Sequence, residues 1–120
     1  MRGAGLSRVG WVSMSTFDER KDAYENRFAH DEQLRFKATA RRNKLLGLWA
    51  AGQLGLTGED AEAYAREVVR ADFEEPGDED VFRKVRRDFD EAGVVQSDHQ
   101  IRRTMEQLLV TAADQIRSQG

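Results

Sequence analysis

The chain has 120 residues, a formal net charge of −3 and 34% charged side chains, with one proline and no cysteine. That length fits one domain with a single modest core. The missing thiols exclude a disulfide scaffold, a cysteine nucleophile and a Cys-ligated zinc site, and fit a reducing cytoplasm. No apolar run approaches the roughly 20 residues that cross a bilayer, so the chain is read as not membrane-spanning.

Residues 1–13 hold Trp11, two arginines and three glycines. They are too poor in apolar side chains for a signal-peptide core. A second methionine, Met14, precedes the first helix-start signal. The functional chain is therefore expected to begin there, with 1–13 a disordered lead or an upstream start.

Thr16-Phe17-Asp18-Glu19 reads as a capping box that opens a helix to about Ala29. Phe17, Tyr24 and Phe28 fall at i, i+7 and i+11, with Asp18, Glu19, Arg20, Lys21, Asp22, Glu25 and Arg27 crowded between them. A helix this short is marginal in water and orders only against its own bundle or a partner groove. Both remain open from the pattern, and so does a continuous helix through His30. Residues 14–30 are read as an arm and 31–120 as the body.

Asp31 caps the next helix, which runs to about Leu54. Gly55 suits a left-handed terminator there, with Leu56 packing back. Thr57-Gly58-Glu59-Asp60 starts a third segment with Ala61, Tyr64, Ala65, Val68 and Val69 at i, i+3, i+4, i+7 and i+8. Glu74-Glu75-Pro76-Gly77 is expected to end it. Asp78 caps a fourth segment, with Val81, Phe82, Val85 and Phe89 inward and Gly93 as its stop. Ser97-Asp98-His99-Gln100 is another capping box. The last helix carries Ile101, Met105, Leu108, Leu109, Ala112 and Ile116 on one stripe. The expected fold is all-α: a small four-helix bundle with an N-terminal arm, helical or disordered.

Catalytic chemistry finds little support. His30 and His99 lack the company a metal site requires, so no metal is expected. His99 sits in a capping turn. His30, beside Asp31 and Glu32, is either a plain exposed histidine or a pH-sensitive hinge. Carboxylate pairs such as Glu59/Asp60 and Glu74/Glu75 are expected on wet helix faces in a chain this acidic. No credible nucleophilic triad or phosphate loop is present, and the chain is read as not an enzyme. Lys37, Arg41 and Lys44, at i, i+4 and i+7, share a helix face. They could contact phosphates, although a solvated face salt-bridged to Asp and Glu is the simpler expectation. The net negative charge argues against nucleic-acid binding. The basic 31–44 and acidic 59–80 stretches are expected to face each other or water.

Four stretches also resemble a known family: Phe17-Asp18-Glu19-Arg20, Tyr24 to Asp31, Arg35 to Gly47 (including Ala40-Arg41-Arg42-Asn43-Lys44-Leu45-Leu46-Gly47), and Asp72 to Asp80 (including Phe73-Glu74-Glu75-Pro76-Gly77). Together they are similar to the zeta subunit of the α-proteobacterial F-type ATP synthase, over nearly everything after Met14. The resemblance implies a small four-helix inhibitor of ATP hydrolysis, monomeric when free. It would sit at the cytoplasmic face of the membrane-bound synthase, with the α, β and γ subunits of the head as partners. Its N-terminal segment would insert at an α/β catalytic interface near the γ shaft and block rotation in the hydrolysis direction. Phe17, Asp18, Glu19, Arg20, Tyr24, Arg27 and Phe28 would then be the docking residues. No cofactor is required on this reading. ADP or ATP is implied as a regulatory ligand of the helical body, which suits Lys37, Arg41 and Lys44; a nucleotide-binding regulatory module is the alternative function.

Overall fold

The computed structural model describes residues 18–22, 31–73 and 77–119. Every regular element among them is helical: a turn at 18–22, then α1 (Glu32–Gln53), α2 (Gly58–Ala71), α3 (Glu79–Ala92) and α4 (Asp98–Gln119). The all-α bundle is as expected. The Thr16 cap, most of the 17–29 helix, His30, the 1–13 lead and Glu74-Glu75-Pro76 lie outside the described residues.

Local chemistry sets the boundaries. The Leu34 backbone N–H donates to Asp31 Oδ1 at 3.1 Å, satisfying one orphan donor at the start of α1. At its end Gly55 has φ +82°, and Leu56 N–H bonds back to the Ala51 carbonyl at 2.8 Å. Leu56 also packs against the core, as the terminator required. Gly93 closes α3 at φ +73° in the same way. Ser97 Oγ accepts the Gln100 backbone N–H at 3.0 Å and caps α4.

α2 stops at Ala71, ahead of the Pro-Gly signal that was expected to end it. Its last turn tightens instead: Asp72 N–H and Phe73 N–H bond to the Val69 and Arg70 carbonyls, three residues back. Asp78 occupies the N-cap position of α3 yet makes no side-chain cap bond. Its carboxylate is turned toward α1 and taken by Arg42.

The core joins all four helices. Leu46, Ala50 and Ala51 of α1 meet Tyr64 and Val68 of α2, Val81, Phe82, Val85 and Phe89 of α3, and Ile101 and Met105 of α4. Trp49 packs tilted on Phe89, with ring centroids 5.6 Å apart. The inward stripe read for α3 is buried in full. Val69, expected to point inward on α2, is only half-buried and lines a surface groove. A second small cluster of Ala38 and Ala113, with Leu34, Leu109 and Ile116 against it, joins the N-terminal half of α1 to the C-terminal half of α4. α1 is thus flanked by α2 and α4, and it lies very close to α2. A methyl group added at Gly47 would sit 2.5 Å from the Ala65 Cα, so only glycine permits this approach.

Polar side chains fasten the seams. The Tyr64 hydroxyl donates to Asp88 Oδ2 at 2.7 Å, and burial, then the carboxylate, push its pKa up. Lys84 Nζ bridges Glu67 and Asp88 across α2 and α3 at 3.1 and 3.0 Å. Arg102 of α4 grips both oxygens of Glu79 at 3.0 and 3.2 Å and lies 3.8 Å over the Phe82 ring. Among the described residues no helix is long and apolar enough to cross a membrane.

Candidate functional site

Among the described residues, three places bear on the site read from the sequence. The first is the arm. Of the docking residues read from the sequence, Asp18, Glu19 and Arg20 fall in the described turn 18–22; Phe17, Tyr24, Arg27 and Phe28 lie outside the described residues. Asp18 and Glu19 are exposed. Arg20 Nε meets Asp114 Oδ2 at 2.7 Å, and Lys21 Nζ meets Glu106 Oε2 at 2.8 Å. The arm therefore makes ion pairs with the last helix of its own bundle.

The second is a groove between α1, α2 and α4. Lys37, Arg41 and Lys44 all line it, as the helix spacing requires. Its other walls are Leu34, Phe36, Ala40, Val69, Ile116 and Gln119, around a volume of about 570 Å³. No carboxylate is among them. Arg41 donates to the Gln115 and Gln119 side-chain oxygens at 2.8 and 3.2 Å, both neutral acceptors. The expected salt bridges from this face to Asp or Glu do not form among the described residues. Phe36 stands 64% exposed beside the three cations.

The third was missed in the sequence. Arg42 is 2% exposed and Asn43 1%, although both sit inside the basic run Arg41-Arg42-Asn43-Lys44. Arg42 Nε donates to Asn43 Oδ1 at 2.7 Å, and its Nη2 to Asp78 Oδ1 at 2.8 Å. Asn43 in turn hydrogen-bonds Asp72. Burial raises the Asp72 pKa, the Asn43 hydrogen bond and the Arg42 charge pull it down, and Asp78 and Asp80 push it up. This knot ties the ends of the 72–78 connection to the middle of α1, so the basic and acidic stretches meet through Arg42, while Lys37, Arg41 and Lys44 face the groove. A signal did exist: Arg42 falls midway between Ala38 and Leu46 on the α1 stripe that continues to Ala50. Arg42 and Asp78 also line a cavity of about 370 Å³ with Lys21, Arg102, Met105, Glu106, Leu109 and Val110.

No cluster of three or more metal-ligating side chains occurs among the described residues. His99 is exposed. The described residues thus pair the 18–22 turn with α4 and gather three cations in a groove without a carboxylate.

Comparison with known proteins narrows this. A family model described as ATPase inhibitor subunit zeta matches residues 14–115. Among solved structures, a solution NMR structure is 48% identical, covers 72% of this chain and 99% of that one, and superposes with a TM-score of 0.65. No curated protein matches.

Proposed function

The chain belongs to the ATPase inhibitor subunit zeta family, and from that membership we propose that it inhibits ATP hydrolysis by the F-type ATP synthase through its N-terminal arm. The arm, 14–30, enters an α/β catalytic interface near the γ shaft and blocks rotation in the hydrolysis direction. Phe17, Tyr24 and Phe28 fill apolar pockets there, while Asp18, Glu19, Arg20 and Arg27 set register and orientation. The bundle stays outside, at the cytoplasmic face of the enzyme. The observation that carries this reading is the family match itself, which spans both arm and bundle.

ATP hydrolysis by the isolated synthase head, titrated with the full chain and with a chain beginning at Asp31, tests it. Inhibition by the first and not the second is expected. Equal inhibition by both would remove the arm from the mechanism. No inhibition by either would remove the function.

A second reading is favoured by the groove. Lys37, Arg41 and Lys44 converge without a carboxylate among them, next to the exposed ring of Phe36. That suits the phosphates and base of ADP or ATP as a regulatory ligand. Magnetic-resonance titration with ADP should shift 34–44, Val69 and 116–119. No shift at millimolar nucleotide would discard it.

A further inference from the structure

The ion pairs between arm and bundle have a consequence for regulation. Arg20 and Lys21 are neighbours in sequence, while their acceptors Asp114 and Glu106 lie eight positions apart on α4. Along a helix that is about 12 Å. The 18–22 turn therefore lies across the middle of α4 and reaches a carboxylate to either side. Lys21 also stands at the rim of the cavity floored by Met105, Leu109 and Val110. All four charged side chains are partly exposed, between 32% and 44%. Exposed pairs of this kind are individually weak and reversible.

We infer that the α4 face bearing Glu106 and Asp114 is an intramolecular holding site for the arm, mutually exclusive with docking on the synthase. This rests on the reading of the arm as the inhibitory segment. Arg20 cannot serve Asp114 and an external partner together. Each inhibitory encounter then begins by breaking both ion pairs, and only the fraction of molecules with the arm released can dock. The pairing sets the potency of the inhibitor, and its α4 half, Glu106 and Asp114, lies outside the residues read as meeting the enzyme.

The test uses the full chain with Glu106→Gln and Asp114→Asn together, leaving the arm unaltered. A second variant, Glu106→Lys with Asp114→Lys, must exceed it in the same direction. Two readouts are taken: the backbone resonances of 18–22 in the free protein, and the half-inhibitory concentration on the isolated synthase head. Release of two exposed pairs is expected to move the 18–22 resonances toward those of an unpaired chain and lower the half-inhibitory concentration about threefold to tenfold. Unchanged resonances would overturn the holding site. Released resonances with unchanged potency, in a wild type that does inhibit, would overturn the competition. A wild type that fails to inhibit would defeat the inhibitor reading and the regulatory claim together, while the resonances still decide the holding site.

Discussion

Arg42, 2% exposed, holds Asp78 across the α1–α3 seam at 2.8 Å, while the Asp78 side chain itself is 51% exposed. The pair is therefore unequal, and its two ends should fail differently. Removing Asp78 leaves a buried cation short of its nearest counter-charge. Asp78→Ala should cost about 2–4 kcal/mol. Arg42→Met removes the buried charge and keeps most of the stem volume, leaving Asn43 Oδ1 without its donor; it should cost about 1–2 kcal/mol. Arg42→Ala adds a cavity and should cost about 3–5 kcal/mol. Urea unfolding gives the order. A larger loss for Arg42→Met than for Asp78→Ala would show that Asp78 does not carry the Arg42 charge.

Gly47 and Gly52 lie in the same helix and should respond in opposite directions. Alanine favours a helix interior over glycine by about 1 kcal/mol. At Gly52 nothing lies within 4 Å of the added methyl, so Gly52→Ala should stabilise by up to about that amount. At Gly47 the methyl meets the Ala65 backbone at 2.5 Å, and backbone cannot rotate away. Gly47→Ala should lose about 1–3 kcal/mol net as α1 is forced from α2. Thermal unfolding of the two variants side by side decides it. A stabilising Gly47→Ala would mean the two helices are not held at this distance.

What sequence reasoning could see follows from where each signal is stored. Asp31, Gly55, Gly93 and Ser97 act on backbone groups within a few residues, so a local pattern names them. α3 buries one continuous stripe, and Val81, Phe82, Val85 and Phe89 announce it. α1 is different because it packs on two sides, against α2 and α4. Its buried set runs through Ala38, Arg42, Asn43, Leu46, Gly47, Ala50 and Ala51. That set includes a cation, an amide and a glycine; only the i, i+4 spacing of Arg42 between Ala38 and Leu46 marks one of them as inward, and residue type argues against it. The groove cations Lys37, Arg41 and Lys44 were legible because i, i+4, i+7 spacing puts them on one face whatever the tertiary fold. That Arg41 meets glutamines, and that Val69 joins the same groove, depends on how α2 and α4 approach. The Arg20 and Lys21 pairings span 94 and 85 residues, and no local pattern encodes them.

Asp72 supplies a pH dependence of definite sign. Its pKa is raised in the fold, chiefly by desolvation. A raised carboxyl pKa means that the folded state binds the proton more tightly than the unfolded chain. The associated stability is present below the unfolded value and lost as pH rises through the folded value. At neutral pH the Asp72 charge is therefore an unfavourable element, eased by Asn43 and Arg42. Asp72→Asn removes that charge and the repulsion from Asp78 and Asp80. Because Asp72 is only partly buried, the gain at pH 7 should stay below about 1 kcal/mol. It should fade as pH falls through the raised Asp72 pKa, where the wild-type group takes up its own proton. A gain that grows on acidification would reverse the assignment.

The bundle should stand without the arm. Both core clusters draw their described members from Leu34 onward. The described part of the arm contributes two exposed ion pairs, worth about 0.2–1 kcal/mol each. A chain beginning at Asp31 should keep its cooperative unfolding and lose no more than about 2 kcal/mol. Where the cut falls matters, because the Asp31 carboxylate caps α1 through the Leu34 N–H. A chain beginning at Glu32, or carrying Asp31→Ala, should lose about 1 kcal/mol more. Circular dichroism through a urea titration measures both steps. Loss of cooperativity on cutting at Asp31 would mean that the arm is part of the core, and that the inhibitor cannot release it without unfolding.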